Sequence, residues 1–326
     1  MNKLRTGVVG VGHMGVNHAR IYSELESCTL AAVYDHDYEV AQKIARKYHT
    51  HAAASLEEFA GLVDAATICT PTITHYEIGL KLLEQGKHLL IEKPITDIPD
   101  HARILSKLAA EKKCVLQVGH VERFNPVLAA LESKLNNPRF LEVTRLSPYP
   151  NRSTDIGVVM DLMIHDIEII LHIVRSPVVS FDPVGIAVLS KGEDIANVRF
   201  RFENGCVANV TASRISRDKV RKIRVFQENA YLSLDYQKQD GVMFRLKEGK
   251  KGKEIVREKV EVARGEPLKI ELESFIECAQ QGAQPKVSGQ AATDALDIAL
   301  EITRQIEEAD PRKGAFDPEL AKLIRQ

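Results

Sequence analysis

A carboxylate and an imidazole four residues apart are the side chains of this sequence best suited to move a proton at neutral pH. Asp161 and His165 lie in the run DLMIHD, which ends at Asp166. On a helix, positions i and i+4 share a face, so the carboxylate can orient the imidazole and favour one protonation state. Apolar neighbours over 158–167 indicate a buried helix, in which charged side chains need a partner or a function. A solvated surface pair is the alternative interpretation.

A glycine-rich turn near the N-terminus is the second feature with chemical meaning. Gly10–Gly15 (GVGHMG) follows an apolar run, and Asp35 closes another apolar run twenty residues after Gly15. The first glycine permits a tight strand-to-helix turn, the second lets a pyrophosphate approach the backbone, and the third lets the helix pack closely on the strand. The amides that begin the helix would face the phosphates. The pattern predicts a dinucleotide site that includes Gly10, Gly12, His13, Met14, Gly15 and Asp35.

Asp35 also bears on the choice of dinucleotide. A carboxylate at this position accepts hydrogen bonds from both ribose hydroxyls and repels a 2′-phosphate. The cofactor is therefore predicted to be NAD rather than NADP. The neighbouring His36 keeps NADP as an alternative.

Two further segments follow predicted strands and so fall on the edge of the sheet where ligands bind. Ile91–Pro94 (IEKP) contains Glu92 and Lys93, and a lysine beside a nicotinamide would have a lowered pKa that suits acid/base work. Pro94 restricts Lys93 and is a candidate for a cis bond. Thr70–His75 (TPTITH) is interpreted as a capped loop lining the cofactor, with contacts from Thr70, Pro71 and His75, and Thr74 as a helix cap. A surface lysine is the alternative for Lys93.

Composition bounds the class of protein. A chain of 326 residues with 44% hydrophobic residues is long enough for two cores. A net charge of −1 argues against nucleic acid and against an anionic membrane surface. The five cysteines are scattered without metal-ligand spacing, so we expect reduced thiols, no metal and a cytoplasmic protein. The N-terminus lacks the pattern of a signal peptide, and no apolar run reaches 18 residues.

The elements that would position these residues fall into two patterns. Over 1–120, strands alternate with helices, which predicts an α/β, doubly wound parallel sheet. Strands are expected at 4–9, 29–34, 65–69, 88–91 and 114–118, and helices at 14–26, 37–48, 75–85 and 98–112, with Asp37 and Asp97 as N-cap neighbours and Gly86 as a C-cap.

Over 121–326, the pattern predicts an α+β domain with a largely antiparallel, open-faced sheet. Helices at 126–135, 161–174 and 267–281 would cover one face, and a partner subunit the other, as a homodimer or homotetramer. Its strands are expected at 183–189, 195–203, 205–213, 220–227, 230–235 and 242–247, with a hairpin at 203–205, a polar loop from Gly249 to Gly252 and a last helix at 289–309.

The order of these motifs resembles the Gfo/Idh/MocA family of NAD(P)-dependent sugar and polyol oxidoreductases, over nearly the whole chain. In that family the lysine of the EKP motif and the Asp/His pair surround the hydroxyl that is oxidised. The resemblance therefore implies that Lys93, Asp161 and His165 are catalytic, without deciding whether Lys93 or His165 is the base. One departure is the approach to the pair: the family often has several glycines there, whereas residues 156–160 read IGVVM.

Two runs narrow the resemblance. Gly119–Pro126 (GHVERFNP) and the DLMIHD run are similar to family members that oxidise C3 of UDP-N-acetylglucosamine and supply a 3-keto sugar to lipid A assembly. Such a substrate implies contacts from Arg123, Asn125, Arg152 and His165. The cations available for a diphosphate are Arg123, Arg145, Arg152, Arg214, Arg217, Lys219, Arg221 and Lys222, although a solvated strand face explains the 214–224 group equally well.

Two other functions stay open at this point. A free polyol or sugar such as inositol keeps the same fold and chemistry with a different substrate. A non-catalytic regulator or scaffold that senses NAD would bind the cofactor and tolerate changes at Lys93 and His165.

Overall fold

The computed structural model describes residues 3–149, 156–249 and 252–310. By its internal packing the chain divides into two units. The N-terminal unit takes the chain up to Phe124 together with Gly265–Asp294, and the second unit takes Asn125–Arg264 and the chain from Ala295 onward. The sequence had indicated a single boundary near residue 120.

The N-terminal unit contains the alternating strands and helices that the sequence predicts. Its six strands all pair in parallel, in the order β3-β2-β1-β4-β5-β6. The strands are β1 (Leu4–Val9), β2 (Cys28–Tyr34), β3 (His51–Ala52), β4 (Ala65–Ile68), β5 (His88–Glu92) and β6 (Leu116–Gly119), and the helices are α1 (Gly15–Glu24), α2 (Tyr38–Tyr48), α3 (Leu56–Leu62), α4 (His75–Glu84) and α5 (Pro99–Glu111). Short β3 and α3 had no counterpart in the sequence prediction.

The strand order indicates where on the sheet edge a ligand can bind. β1 lies between β2 and β4, so the chain runs outward in opposite directions from this point, and ligands of doubly wound sheets bind beyond the carboxyl ends of such strands. Gly10 follows β1 and Cys69 follows β4 at this edge. The doubly wound prediction is confirmed.

The predicted cap residues Asp37, Asp97 and Gly86 lie at or beside helix ends. The Asp37 carboxylate accepts hydrogen bonds from the Glu39 and Val40 amides and caps α2. Gly86, just past α4, has φ of 72°, a left-handed conformation that glycine adopts without strain. Asp97 directly precedes Ile98, the N-cap residue of α5, which makes no side-chain cap bond, and Pro99 occupies the first turn.

Helix α8 (Pro267–Gln281) has the predicted bounds but a different place. Its Leu272, Phe275 and Ile276 are fully buried in one core with Val8 and Ile21. The expectation that 267–281 covers the C-terminal sheet is therefore wrong. Its apolar face is matched by the face of α1 and the first strand, a tertiary choice that the helical period does not encode.

The second unit is built on an eight-stranded sheet of order β14-β13-β12-β11-β7-β10-β9-β8. Only β7 and β10 pair in parallel, and the other neighbours are antiparallel, as predicted. Its strands are β7 (Phe140–Leu146), β8 (Val178–Ile186), β9 (Ile195–Phe202), β10 (Val207–Ser213), β11 (Val220–Gln227), β12 (Ala230–Asp235), β13 (Asp240–Gly249) and β14 (Gly252–Val260). Strands β7 and β14 were missed, although β7 alternates strictly between half-buried and buried residues.

Helices cover one face of this sheet. They are α6 (Pro126–Glu132), α7 (Ile164–Val174) and the C-terminal part of α9 (Gly289–Ala309). Ile167 and Ile170 of α7 are fully buried, as are Val198 and Val210 on the strands. A side chain at Gly185 of β8 would overlap Ile306, which brings α9 close to the sheet edge. Within the described residues, no helix combines the length and hydropathy needed to cross a bilayer.

Candidate active site

The glycine turn has the three properties that its sequence requires. Gly10 has φ of 81°, and a Cβ there would lie 2.7 Å from the Thr70 side chain. A Cβ at Gly15 would overlap the Gly10 carbonyl oxygen, so this glycine lets α1 start against the turn. Gly12 has no atom within 4 Å of its missing Cβ, so the surface in front of it is open. The turn therefore fits a pyrophosphate, because close backbone approach is needed at the second glycine and nothing of the protein fills that space.

Asp35 faces this turn from the end of β2. Its Oδ2 accepts a hydrogen bond of 2.9 Å from the Val11 amide, and its Oδ1 accepts one of 3.1 Å from the Asp37 amide. The exposed His36 ring lies 3.0 Å from Oδ1. Met14 begins α1 without a side-chain cap, and His13 is exposed beside it. The carboxylate is thus held beside the glycine turn by backbone amides on both of its oxygens.

His75 joins the two predicted loops. Its Nε2 lies 2.9 Å from the Thr70 carbonyl oxygen and its Nδ1 lies 3.0 Å from the Pro94 carbonyl oxygen. Burial lowers the pKa of this histidine, which favours the neutral ring. Thr74 is the N-cap residue of α4 as predicted, but its hydroxyl donates to the Pro71 carbonyl oxygen at 2.7 Å and caps no amide of the helix. The neutral ring has one N–H, so it donates to one of these two carbonyl oxygens and lies against the other, where the segment around Pro71 meets the loop that carries Lys93.

Glu92 holds the backbone beside Lys93. Its Oε1 lies 3.0 Å from Nε2 of the buried His18, and its Oε2 accepts a hydrogen bond of 3.2 Å from the Lys93 amide. A Cβ at Gly119 would lie 2.9 Å from Oε2, so this glycine makes room for the carboxylate. The Lys93–Pro94 bond is cis, and Lys93 itself is half-buried. One nitrogen of His18, the sulfur of Cys69 and one carboxylate oxygen of Glu92, atoms of the kinds that bind metal ions, all lie within 4.8 Å of one another.

Two buried titratable residues that interact electrostatically with the Glu92–Lys93 segment were missed. Burial and then the charge of Glu92 raise the pKa of Glu271, a fully buried α8 residue, well above its usual range. Burial, followed by the charges of Lys93 and Arg123, lowers the pKa of His120 to about 3. His120 lies in the GHVERFNP run, which gave a signal, whereas nothing in the sequence around Glu271 distinguishes it from a surface glutamate.

Asp161 and His165 occupy an unusual helical segment of the second unit. Val159–Met163 forms a π turn that leads directly into α7, and the Ile164 amide donates to the Val159 carbonyl oxygen. Both side chains are half-buried. Such wide turns inside helices are frequent at functional sites. Lys93 belongs to the N-terminal unit, and the Asp161/His165 pair to the second.

Two of the predicted phosphate-binding cations have internal partners instead. Arg145 donates from Nε and Nη2 to the two oxygens of Asp166, each at 2.7 Å, and both residues are buried. Arg214 is fully buried, with its Nε 2.8 Å from Asp194 Oδ1. The expectation that these arginines are available to a diphosphate is wrong, because their charges are compensated inside the fold. The Arg145–Asp166 pair instead anchors the residue after His165 to β7.

The remaining substrate candidates differ in what the structure shows. Arg123 is buried at the end of the N-terminal unit. Asn125 caps α6 by accepting from the Val127 amide at 3.2 Å, and its side-chain amide donates to the Tyr236 carbonyl oxygen at 3.2 Å. Arg152 lies outside the described residues. Arg217, Lys219 and Lys222 are exposed. The substrate contacts of these residues stay predictions.

Family models match both units of the chain. The model described as an oxidoreductase family with an NAD-binding Rossmann fold matches residues 4–120, and that of the GFO/IDH/MocA C-terminal domain matches residues 129–233. The chain belongs to the Gfo/Idh/MocA oxidoreductase family. It is therefore an enzyme rather than a non-catalytic sensor, and its N-terminal unit binds a nicotinamide dinucleotide.

Relatives in this family carry sugar and polyol names. The chain is 35% identical over 310 residues to a UDP-N-acetylglucosamine 3-dehydrogenase of Acidithiobacillus ferrooxidans, covering 94% of this chain and 98% of the relative. A solved structure of that dehydrogenase aligns with a TM-score of 0.88 at 34% identity, over 94% of this chain and 99% of the other. An inositol 2-dehydrogenase of Rhizobium meliloti is 25% identical, over 94% of this chain and 97% of the relative.

Proposed function

We propose that this enzyme is an NAD-dependent dehydrogenase that oxidises the C3 hydroxyl of UDP-N-acetylglucosamine to give the 3-keto sugar. The observation that carries the proposal is the identity of 35% over 94% of the chain with a relative named for that reaction. In the same proposal, the enzyme acts in the cytoplasm and its 3-keto product is a precursor of lipid A. Oxidation of a free polyol such as inositol is the second candidate, supported by the weaker match to an inositol dehydrogenase.

The cofactor is NAD in this proposal. Gly10, Gly12 and Gly15 form the turn for the pyrophosphate, and Asp35 accepts from the ribose hydroxyls while its charge disfavours a 2′-phosphate. The Thr70 and Glu92 segments, with Pro71 and His75, line the nicotinamide end. When bound, the oxidised nicotinamide supplies the acceptor for the hydrogen that leaves the carbinol carbon with its electron pair.

The protein's own residues handle the proton. His165, oriented by Asp161, takes the proton of the reacting hydroxyl, and Lys93 polarises the oxygen as it becomes a carbonyl. Lys93 and His165 can exchange these roles, since either side chain can hold the proton. Glu92 fixes the Lys93 backbone, and the ion pair of Asp166 with Arg145 fixes the start of α7.

We further propose that a second copy of the chain covers the outer face of the sheet, in a homodimer or homotetramer. Four aromatic side chains stand in a row on neighbouring strands of that face, with ring centroids 5.4, 4.7 and 5.9 Å apart. They are Phe140, Phe226, Tyr231 and Phe244. Further along, Ile255 is 75% exposed, and burial of such surface favours self-association. Sedimentation of the purified protein tests this, and a monomer at micromolar concentration refutes it.

The substrate is tested by formation of reduced nicotinamide. Purified protein is mixed with NAD and UDP-N-acetylglucosamine, with myo-inositol and free N-acetylglucosamine in parallel, at enzyme concentrations high enough to see one turnover. We expect a signal with the nucleotide sugar alone. A signal with inositol instead supports the second candidate, and silence with all three while NAD binds refutes the proposed substrate.

A further inference from the structure

The chain before the π turn is held by three buried charged residues of neighbouring loops. Glu193, Asp194 and Arg214 are 4% exposed or less, and none of them belongs to the predicted catalytic set. We call these three residues the 193–214 clamp. All of its contacts described below lie within the second unit.

Glu193 takes up the free amides at the start of the turn. The Val158 amide donates to its backbone oxygen at 2.8 Å, and the Val159 amide donates to its Oε1 at 3.0 Å. The first amides of a helix have no partner inside the helix, and a carboxylate is the group that best complements them. Glu193 therefore acts as a cap that comes from a distant part of the chain.

Arg214 and Asp194 fix the loop that carries this cap. Arg214 donates from Nη1 to the Ile156 carbonyl oxygen at 2.6 Å and from Nη2 to the Ser190 hydroxyl at 2.6 Å. One carboxylate oxygen of Asp194 accepts a hydrogen bond from Arg214 Nε. The other oxygen accepts hydrogen bonds from the backbone amides of Val188, Leu189 and Ser190. The clamp therefore makes hydrogen bonds to Ile156, which precedes Gly157, and to Val158 and Val159, which follow it.

Gly157 shows how closely the parts fit. A Cβ on Gly157 would overlap the Glu193 carboxylate, and a Cβ on Gly192 would lie 3.1 Å from the Gly157 backbone. Two segments meet here with backbone against backbone. The glycine of the 156–160 segment is therefore at a position where the clamp leaves no room for a side chain.

Val159 links the clamp to the π turn. Its amide is held by Glu193, and its carbonyl oxygen accepts from the Ile164 amide, which closes the wide turn. An α-helix would close one residue earlier, and each residue of an α-helix advances by about 100°. Relaxation of the wide turn would therefore rotate the side chains at its start relative to His165.

We propose that the 193–214 clamp maintains the π turn and thereby sets the direction of Asp161 relative to His165. Glu193 and Arg214 are positioning residues, and neither touches the reacting atoms. The inference rests on the proposed function to the extent that Asp161 and His165 are taken to handle the substrate proton. A helix this tightly held at its first turn presents two acid/base groups in one fixed arrangement, which acid/base catalysis needs.

The test compares Glu193→Ala with Glu193→Gln. Glutamine keeps an acceptor oxygen for the Val159 amide, and alanine removes it. We expect kcat to fall at least about tenfold in Glu193→Ala, because a misplacement of about 1 Å costs up to about 100-fold. Glu193→Gln is expected to stay within about threefold of the unmodified enzyme, and the dissociation constant of NAD is expected to be unchanged in both. Glu142→Ala, which removes an exposed partner of Arg224 in the same unit, is the matched control.

Titration of the His165 ring provides a readout that does not depend on turnover. It is followed by nuclear magnetic resonance with histidine-selective labelling and assigned with His165→Asn. We expect the midpoint to move in Glu193→Ala and to stay in place in Glu193→Gln and Glu142→Ala. If the unmodified enzyme oxidises no sugar, the proposed function fails, and this titration alone decides the clamp.

Several outcomes overturn the proposal. Equal losses of kcat in Glu193→Ala and Glu193→Gln, or no loss in either, show that the acceptor oxygen does not matter. An unmoved His165 midpoint in Glu193→Ala has the same meaning. If Glu193→Ala does not fold, Gly157→Ala takes its place, because its methyl group would push the carboxylate off the Val159 amide; a folded Gly157→Ala with normal kcat and an unmoved midpoint refutes the proposal.

Discussion

Two glycines of the same turn should respond in opposite ways to the same substitution. Gly12→Ala adds a methyl group where no atom lies within 4 Å, so the folded protein accommodates it. Removal of glycine also restricts the unfolded chain, which stabilises the fold by about 0.4–1 kcal/mol where the backbone permits. Gly15→Ala instead drives a methyl group into the Gly10 carbonyl oxygen. Overpacking of this kind costs about 1–3 kcal/mol, and about 2–4 °C in Tm per kcal/mol for a unit of this size.

The effect on the cofactor is the reverse. A methyl group at Gly12 lies where the pyrophosphate must approach the backbone, and the same overpacking cost of about 1–3 kcal/mol corresponds to a loss of NAD affinity of about 5–150-fold. Calorimetry measures both quantities, Tm without ligand and the dissociation constant of NAD; it suits a chain that has no tryptophan. Full NAD affinity in Gly12→Ala would refute the role of Gly12 in cofactor binding. An unchanged Tm in Gly15→Ala would refute the role of Gly15 in the packing of α1.

The other predictions concern cofactor choice, catalysis and pH. Asp35→Ala should weaken NAD about tenfold and raise the affinity for NADP, measured by titration of both; an unchanged preference would mean that another residue reads the ribose. Lys93→Met and His165→Asn should each lower kcat by about 10²–10⁴ with NAD binding intact, and near-normal rates in both would contradict their roles. His120 has a pKa of about 3 in the folded protein, below its unfolded value of about 6.5, so the unfolded chain binds its proton first as pH falls. Between about pH 6.5 and about pH 3, the free energy of unfolding should therefore drop by about 1.4 kcal/mol per pH unit from this group, and urea titrations of His120→Asn should show a shallower decline.

Elements with local signals could be predicted from the sequence. Pro267 in the first turn and Gly282 in a left-handed conformation bound α8, and the predicted limits match the structure. The glycine turn and its context likewise gave the fold of the N-terminal unit. Strand β7 was missed because it follows a polar, loop-like stretch, although its alternation is regular.

Placement and charge compensation could not be predicted in the same way. The period of α8 shows that one face is apolar, but not which unit buries that face. Arg145 and Arg214 look like surface cations in the sequence because their partners, Asp166 and Asp194, are 20 or more residues away. The fold brings each arginine to its aspartate, and the sequence does not show this pairing. The two arginines could therefore be interpreted as ligands of a substrate phosphate.

A common arrangement connects the predicted catalytic residues to these buried charges. Lys93 follows Glu92, whose carboxylate is held by His18, and His165 precedes Asp166, whose carboxylate is held by Arg145. A buried ion pair such as Arg145–Asp166 contributes little net stability, because desolvation of both charges offsets their attraction. What such a pair does provide is direction, since its hydrogen bonds are satisfied in only one geometry. The predicted catalytic side chains, Lys93 and His165, can therefore stay half-buried, because the residue next to each one fixes the position of its backbone.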